Sequence, residues 1–332
     1  MDSTLNDTAV LSGALPARQT AALTRRVTGL SVGVAVILVL AKILAWLASG
    51  SVALLASLAD SGLDVLAASA TFLAVRYAAV PPDREHRYGH GKAEAFASLL
   101  QAGLVFASAA LIGQEAISHI LEPKPIAAQG WAMAVMVLSV LMTLALVRAQ
   151  TVMLRQAQSV AVSGDRTHYV ADLGSNLVAL IGIGLAAWLN EPRIDAAAGL
   201  LVAASLVWGA VKVFRDSSHQ LMDHELPDSA RAEIVARMTS DPKVRGVHQL
   251  RTRASGPYVH IQMHADLDPD LSLEQAHGVL VEAENRVLES FPAADIIIHP
   301  DPEDRAESHG GAFAESDRHD PERARRRPAK AG

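Results

Sequence analysis

Residues 52–77 read VALLASLADSGLDVLAASATFLAVRY, an apolar stretch that contains two aspartates. A helix of about 20 apolar residues is long enough to cross a bilayer. Asp60 and Asp64 are four residues apart, so they project from one face of such a helix. A charged side chain at bilayer depth costs at least about 2.5–3.5 kcal/mol and usually serves function. The stretch therefore predicts a membrane helix with a functional polar face.

Five further apolar runs flank this one, and the links between some of them are as short as residues 49–51. The six predicted spans are 27–48, 52–77, 93–117, 131–152, 167–189 and 194–214. Polar residues in the second, third and fifth runs would also suit buried helices of a soluble protein, but the short links favour membrane spans. The sequence thus predicts an all-α bundle of six transmembrane helices over residues 25–216.

The basic residues predict the orientation of these spans. They cluster before the first span, around the second and fourth links, and after the sixth span, whereas the alternate links contain only Lys124 and Arg193. Because basic residues stay on the cytoplasmic side, both termini should be cytoplasmic. Lys42 lies within the first span, and its ammonium is expected to snorkel to the membrane interface.

Composition narrows the chemistry. The chain of 332 residues has no cysteine, so a metal site must be built from His, Asp or Glu. A net charge of -6 gives no reason to expect nucleic-acid binding. Residues 1–24 are polar without a signal-peptide pattern, and we expect them to be disordered.

Beyond residue 216 the composition changes, and residues 226–302 predict a small α/β domain. The predicted elements are a helix at 227–240 with Asp228 as its cap, strands at 244–252 and 258–267, a helix from Ser272 to about residue 290, and a strand at 294–299. Ser272 and Gln275 have the spacing of a capping box. Residues 303–332 are rich in Arg, Glu, Ala and Gly and are expected to be disordered.

The fifth span carries a second polar pair, His168 and Asp172, also four residues apart. With Asp60 and Asp64 they can supply the four N and O ligands of a tetrahedral zinc site, about 2.0–2.2 Å from the ion. The alternative is that these groups lie in water near helix ends or pair with Arg76 and Arg166. Since ionisable groups within membrane spans usually serve function, we favour the metal site.

Several motifs, in this order along residues 27–302, resemble the cation diffusion facilitator family, especially its bacterial zinc and iron efflux branch. They are SLADSGLD at 57–64, DREHRYGHGKAE at 83–94, HYVAD at 168–172, HQLRTR at 248–253 and IIHPDP at 297–302. The resemblance implies a homodimer in the bacterial inner membrane that exchanges metal for protons. It also implies a cytoplasmic C-terminal domain of the ferredoxin-like, metallochaperone-like type.

The resemblance further implies three metal sites and a charge interlock. The transport site would be Asp60, Asp64, His168 and Asp172, and the link site would be Asp83, His86 and His90. The cytoplasmic binuclear site would be His248, His264, His277, His299 and Asp301, and the interlock near the dimer interface would be Lys92 with Asp223. Pro300, between His299 and Asp301, departs from the family pattern and is expected to change how that loop bends.

The link site and the cytoplasmic site also have interpretations that involve no metal. Asp83, His86 and His90 would also suit a solvated loop, and each histidine of the tail domain alone would suit the surface. His260 shares a strand face with His264 and is interpreted as a surface residue.

The functional prediction is export of divalent transition metals, with zinc as the leading candidate and cadmium, iron(II) or manganese also compatible with the ligands. An empty site of three carboxylates and one imidazole should take up protons that the metal displaces, which gives proton antiport by alternating access. One alternative is a membrane-anchored metal sensor or storage protein. Another is a membrane metalloenzyme, but four protein ligands leave no open position for a substrate water. We therefore expect no enzymatic activity.

Overall fold

The computed structural model describes residues 13–49, 52–121, 130–189 and 193–304, although some side chains within these ranges, Asp60 among them, lie outside the described residues. The chain forms two compact units. The first contains Arg18–Met222, and the second contains the residues from Asp223 onward together with the short segment before the first helix. We call them the helical unit and the tail domain.

The helical unit contains six long helices. They are α1 (Ala17–Ser49), α2 (Val52–Ala78), α3 (Ala93–Leu121), α4 (Gly130–Leu154), α5 (Val160–Leu189) and α6 (Arg193–Leu221). Among the described residues, three stretches are both long and apolar enough to cross a membrane: Ala17–Leu47, Ala93–Ser118 and Val137–Leu154. Six spans therefore stay a prediction. Because α1 begins at Ala17, residues 17–24 are helical, and the expectation of disorder is wrong there.

Small residues let the helices approach closely. A Cβ atom added to Gly199 of α6 would lie 3.3 Å from the Cβ of Ala116 on α3. A Cβ atom added to Gly164 of α5 would lie 2.8 Å from the Ser98 hydroxyl and 3.2 Å from its Cα on α3. Without a hydrophobic drive in lipid, such close contacts hold helices together through van der Waals packing.

The tail domain has the element order α7 (Asp228–Met238), β1 (Val244–Ser255), β2 (Tyr258–Leu267), α8 (Leu273–Ser290) and β3 (Ala294–Pro302). The sheet has the order β1-β2-β3, with β1 antiparallel and β3 parallel to β2. The capping box of Ser272 and Gln275 is confirmed at the start of α8. Asp228 does not cap α7, because Pro227 occupies the cap position and no side chain caps it.

One face of the sheet packs into the hydrophobic core, and the opposite face carries the polar side chains. On β2 the side chains of Val259, Ile261 and Met263 are buried in one core with α7 and α8. Since successive strand residues point to opposite faces, His260, His264 and Asp266 lie on the other face.

Pro300 does not interrupt its strand, so the expected change in the loop is wrong. β3 continues to Pro302, and Pro300 pairs in register with Ala265. β3 is an edge strand, where a residue without a backbone N–H is tolerated.

Candidate metal sites

The helical unit brings Asp64 of α2 together with His168 and Asp172 of α5, and their ligand atoms all lie within 4.8 Å of one another. The Nε2 atom of His168 lies 3.1 Å from Asp64 Oδ1 and 3.6 Å from Asp172 Oδ2. The His168 side chain is 7% exposed, while that of Asp64 is 26% exposed. A buried imidazole thus faces two partly open carboxylates, an arrangement that suits a divalent cation.

The fourth predicted ligand, Asp60, lies outside the described side chains. Directly after Asp60 on the same helix, Ser61 is buried and accepts a 2.5 Å hydrogen bond from Lys42 Nζ of α1. Lys42 thus bonds within the helical unit, and its snorkelling to the membrane interface stays a prediction.

The second cluster lies in the link between α2 and α3 and contains Asp83, His86 and His90. Asp83 Oδ1 accepts hydrogen bonds from the backbone N–H groups of Glu85 and His86, at 2.9 and 2.6 Å. The bond from His86 is the main cause that lowers the pKa of Asp83, so the carboxylate stays ionised.

The histidine rings of this cluster face the carboxylate. His86 Nδ1 lies 3.3 Å from Asp83 Oδ1, and His90 Nε2 lies 3.3 Å from Asp83 Oδ2. The other nitrogen of His90, Nδ1, lies 3.3 Å from the Val80 carbonyl oxygen. A ring held in this way through one nitrogen presents the other as a metal ligand.

The third cluster joins one residue from each strand of the tail domain: His248 of β1, His264 of β2 and Asp301 of β3. Asp301 Oδ2 lies 3.1 Å from His248 Nε2 and 2.8 Å from His264 Nδ1. Strand register explains the meeting, because His248 pairs with His264 and His264 pairs with His299. Burial lowers the pKa of His264, which favours the neutral form that binds metal.

The two other predicted residues of this site differ in their position. His299 is 53% exposed, and its Nε2 lies 3.5 Å from Asp301 Oδ1, at the rim of the cluster. His277 is exposed on α8 and lies outside the group of described ligands.

The predicted interlock residues belong to different units. In the helical unit, Lys92 Nζ donates to the Leu221 carbonyl oxygen at 3.2 Å. In the tail domain, Asp223 has a positive φ of 56° and lies 3.1 Å from Arg253 Nη1. The charge interlock thus stays a prediction.

Comparisons with known proteins decide the family. Residues 29–222 match the model of the cation efflux transmembrane domain, and residues 226–303 match that of the cytoplasmic domain of cation efflux proteins. The chain belongs to the cation diffusion facilitator family. As a cation diffusion facilitator it is a membrane transporter of divalent cations and not an enzyme.

Curated relatives agree with this family. The cation-efflux pump FieF of Klebsiella pneumoniae is 39% identical over 265 residues, which cover 80% of this chain and 88% of the pump. FieF of Citrobacter koseri is 40% identical over 266 residues, with the same shares covered. A solved structure of CzrB in its zinc form is 30% identical and covers 26% of this chain and 99% of its own. Its TM-score of 0.23 is too low to relate the two folds.

Sequence reasoning missed one carboxylate of this facilitator. Asp266 Oδ1 lies 3.3 Å from His248 Nδ1, the ring nitrogen that faces away from Asp301. Such a partner orients a metal-binding imidazole. The sequence pattern that could have indicated Asp266 is its spacing of two residues from His264, which places both on one strand face.

His260 also differs from its prediction as a surface residue. It is 7% exposed, and its Nδ1 lies 3.2 Å from Asp295 Oδ2 on β3. Burial lowers the pKa of His260. His260 is therefore buried, although it lies on the sheet face opposite the hydrophobic core.

Proposed function

We propose that this facilitator exports divalent transition-metal ions, zinc above all, from the bacterial cytoplasm in exchange for protons. The transport site is Asp60, Asp64, His168 and Asp172. The observation that carries the proposal is His168 Nε2, which faces carboxylates of two different helices at 3.1 and 3.6 Å. A site shared between α2 and α5 can open or close when those helices shift.

The ligand chemistry supports zinc over harder ions. Imidazole is a borderline donor that suits zinc, whereas carboxylates alone would suit magnesium or manganese. Cadmium and iron(II) can bind the same donors, but the donor set favours them less than it favours zinc. A sensor or storage role would need only the tail domain, but the family match extends through residues 29–222.

Proton exchange follows from the charge of the site. Three carboxylates and an imidazole inside a membrane domain cannot all stay ionised without a cation. Metal binding needs the deprotonated ligands and so releases protons, and proton return after metal release resets the site. A proton gradient can thereby drive export by alternating access.

The experiment is zinc flux in proteoliposomes with Asp64→Ala. Flux should be abolished, because the substitution removes a metal ligand from the cluster. Asp216→Ala, the same change at an exposed position of α6, should transport as the wild type does. Normal flux in folded Asp64→Ala would reject the site.

Both termini and the link that carries Asp83 are proposed to be cytoplasmic, because the basic residues cluster on that side. A cysteine placed at residue 129 should react with an external, impermeant thiol reagent, and one placed at residue 84 should not. The opposite labelling would invert the topology. Cells of the natural host type are needed, since orientation is set during insertion.

We also propose that the facilitator is a homodimer and that its tail domain binds regulatory zinc. The donors fit such a site, since two imidazoles and a carboxylate converge and a second carboxylate, Asp266, orients His248. His277 lies outside the cluster of described ligands, and we propose that a second copy of the chain supplies it to the site.

A further inference from the structure

Asp165 of α5 is fully buried and has no part in the proposed metal sites. Its Oδ2 accepts hydrogen bonds from the Ser31 hydroxyl at 2.6 Å and from Gln150 Nε2 at 2.9 Å. Its Oδ1 accepts one from Gln101 Nε2 at 3.2 Å. Among the described residues these hydrogen-bond partners are all neutral, so no cationic group bonds directly to the carboxylate.

Ser31, Gln101 and Gln150 form a cage around Asp165 that can bond to either protonation state of a carboxyl group. Gln101 Oε1 and Gln150 Oε1 are buried without a hydrogen-bond partner in the described part of the chain. A side-chain amide offers two N–H donors on one side and an oxygen acceptor on the other, and a half-turn exchanges them. The two amides can therefore donate to a carboxylate or accept the O–H of a carboxylic acid.

The cage joins the helices that carry the transport site. Ser31, Gln101 and Gln150 come from α1, α3 and α4, and Gln101 Nε2 also lies 2.9 Å from Thr71 Oγ1 on α2. Asp165 is three residues before His168 on α5, and the close approach at Gly164 brings α5 onto α3. A change of hydrogen bonding at Asp165 thus reaches every helix that bears a metal ligand.

The electrostatic surroundings of Asp165 are simple. Among the described residues, the titratable groups that interact electrostatically with Asp165 are His168, Tyr169 and Asp172 of its own helix. Tyr169 is tied to the same cage, because its hydroxyl donates to the Ser31 carbonyl oxygen at 3.1 Å. From α1, α3 and α4 the described side chains in contact with Asp165 are uncharged.

We propose that Asp165 is a proton-binding site, separate from the metal ligands, that gains and loses a proton during the transport cycle. The proposal rests on the metal-for-proton exchange proposed above. The carboxylate takes one proton from water to give the carboxylic acid, and no electrons move. Because Asp165 is closed off from water here, this exchange takes place when the helices part.

The test is Asp165→Asn in the full-length protein, with metal flux and proton flux measured together in proteoliposomes over a range of pH. Asparagine keeps the shape and can bond to the same cage, so the purified variant should bind zinc like the wild type. It should move one fewer proton per metal ion and show a flatter dependence of flux on pH. Asp216→Asn, at an exposed position of α6, is the matched control.

A second variant decides the case if Asp165→Asn fails to fold. Ser31→Ala keeps the carboxyl group and removes one donor to it, which disfavours the ionised form. The pH midpoint of flux should then shift upward, with zinc binding retained. An unchanged pH midpoint would overturn the proposal.

The outcomes separate the two proposals. If Asp165→Asn moves as many protons per metal ion as the wild type does, the role of Asp165 is overturned but the metal-for-proton exchange is not. Metal flux in the wild type without any proton movement would overturn the exchange itself, and the proton site with it.

Discussion

At the residue scale, a lysine inside the first span is the feature with the clearest physical consequence. The Lys42 ammonium bonds to Ser61, between the two aspartates of α2, and acts electrostatically on Asp172. In the proposed transport site, three aspartates, one lysine and a divalent ion have charges that sum to zero. An electroneutral loaded site is the form that moves through an apolar interior at least cost.

Removing this charge should tighten metal binding and slow metal release. In Lys42→Met the repulsion between ammonium and metal is lost, so the dissociation constant for zinc should fall by roughly tenfold. Calorimetric titration of the purified protein and flux in proteoliposomes measure the two effects. Lys42→Arg keeps the charge and should stay close to the wild type, whereas weaker zinc binding in Lys42→Met would show that Lys42 instead orders the ligands.

At the element scale, β2 explains why the tail domain can combine a packed core with a metal cluster. One face of the strand carries Val259, Ile261 and Met263 into the core, and the other carries His260, His264 and Asp266. Parallel pairing with β3 then sets His299 and Asp301 beside His264 and Asp266. The cluster is a product of strand register, so a shift of one residue would dismantle it.

The buried histidines of β2 predict how stability depends on pH. Burial lowers the pKa of both His260 and His264 from the ordinary value of 6.5, so below that value the unfolded chain binds more protons than the folded one. The neutral rings therefore stabilise the fold fully above about pH 6.5, and this contribution should be lost as the pH falls below that value.

Thermal melting of the metal-free protein at several pH values measures this loss. His260→Gln removes one titrating group outside the metal cluster and should flatten the profile below about pH 6.5. A wild-type melting temperature that does not fall in this range would contradict the burial of these rings.

At the scale of the whole molecule, the tail domain offers a way for metal to act on assembly. His277 lies outside its described ligand cluster, and in the proposed homodimer a second copy would supply it. A ligand that binds only the paired form stabilises pairing, by about 2.7 kcal/mol at a concentration of 100 times its Kd.

Zinc should therefore raise both the melting temperature and the dimer fraction of the full-length protein in detergent. The double variant His299→Ala and Asp301→Ala should lose both effects and keep reduced transport, because the helical unit is unchanged. His277→Ala should lose the dimer effect as well. If zinc changes neither the dimer fraction nor the melting temperature, these residues do not bind regulatory zinc.

The family, the long helices and the element order of the tail domain could be predicted from the sequence. Those features depend on apolar run length, on local capping as at Ser272, and on motifs read directly along the chain. The i, i+4 spacing of His168 and Asp172 likewise placed two ligands on one helix face before any packing was known.

Which distant side chains meet depends on tertiary packing, and the sequence did not predict it. The contact of Lys42 with Ser61, the neutral cage of Asp165 and the partnership of Asp266 with His248 depend on helix packing or strand register between residues far apart in the chain. The continuation of β3 through Pro300 was decided in the same way, because an edge position tolerates a missing donor that an isolated loop motif does not reveal. Local sequence encodes periodicity, whereas the partner of a buried polar group is set by whichever element packs against it.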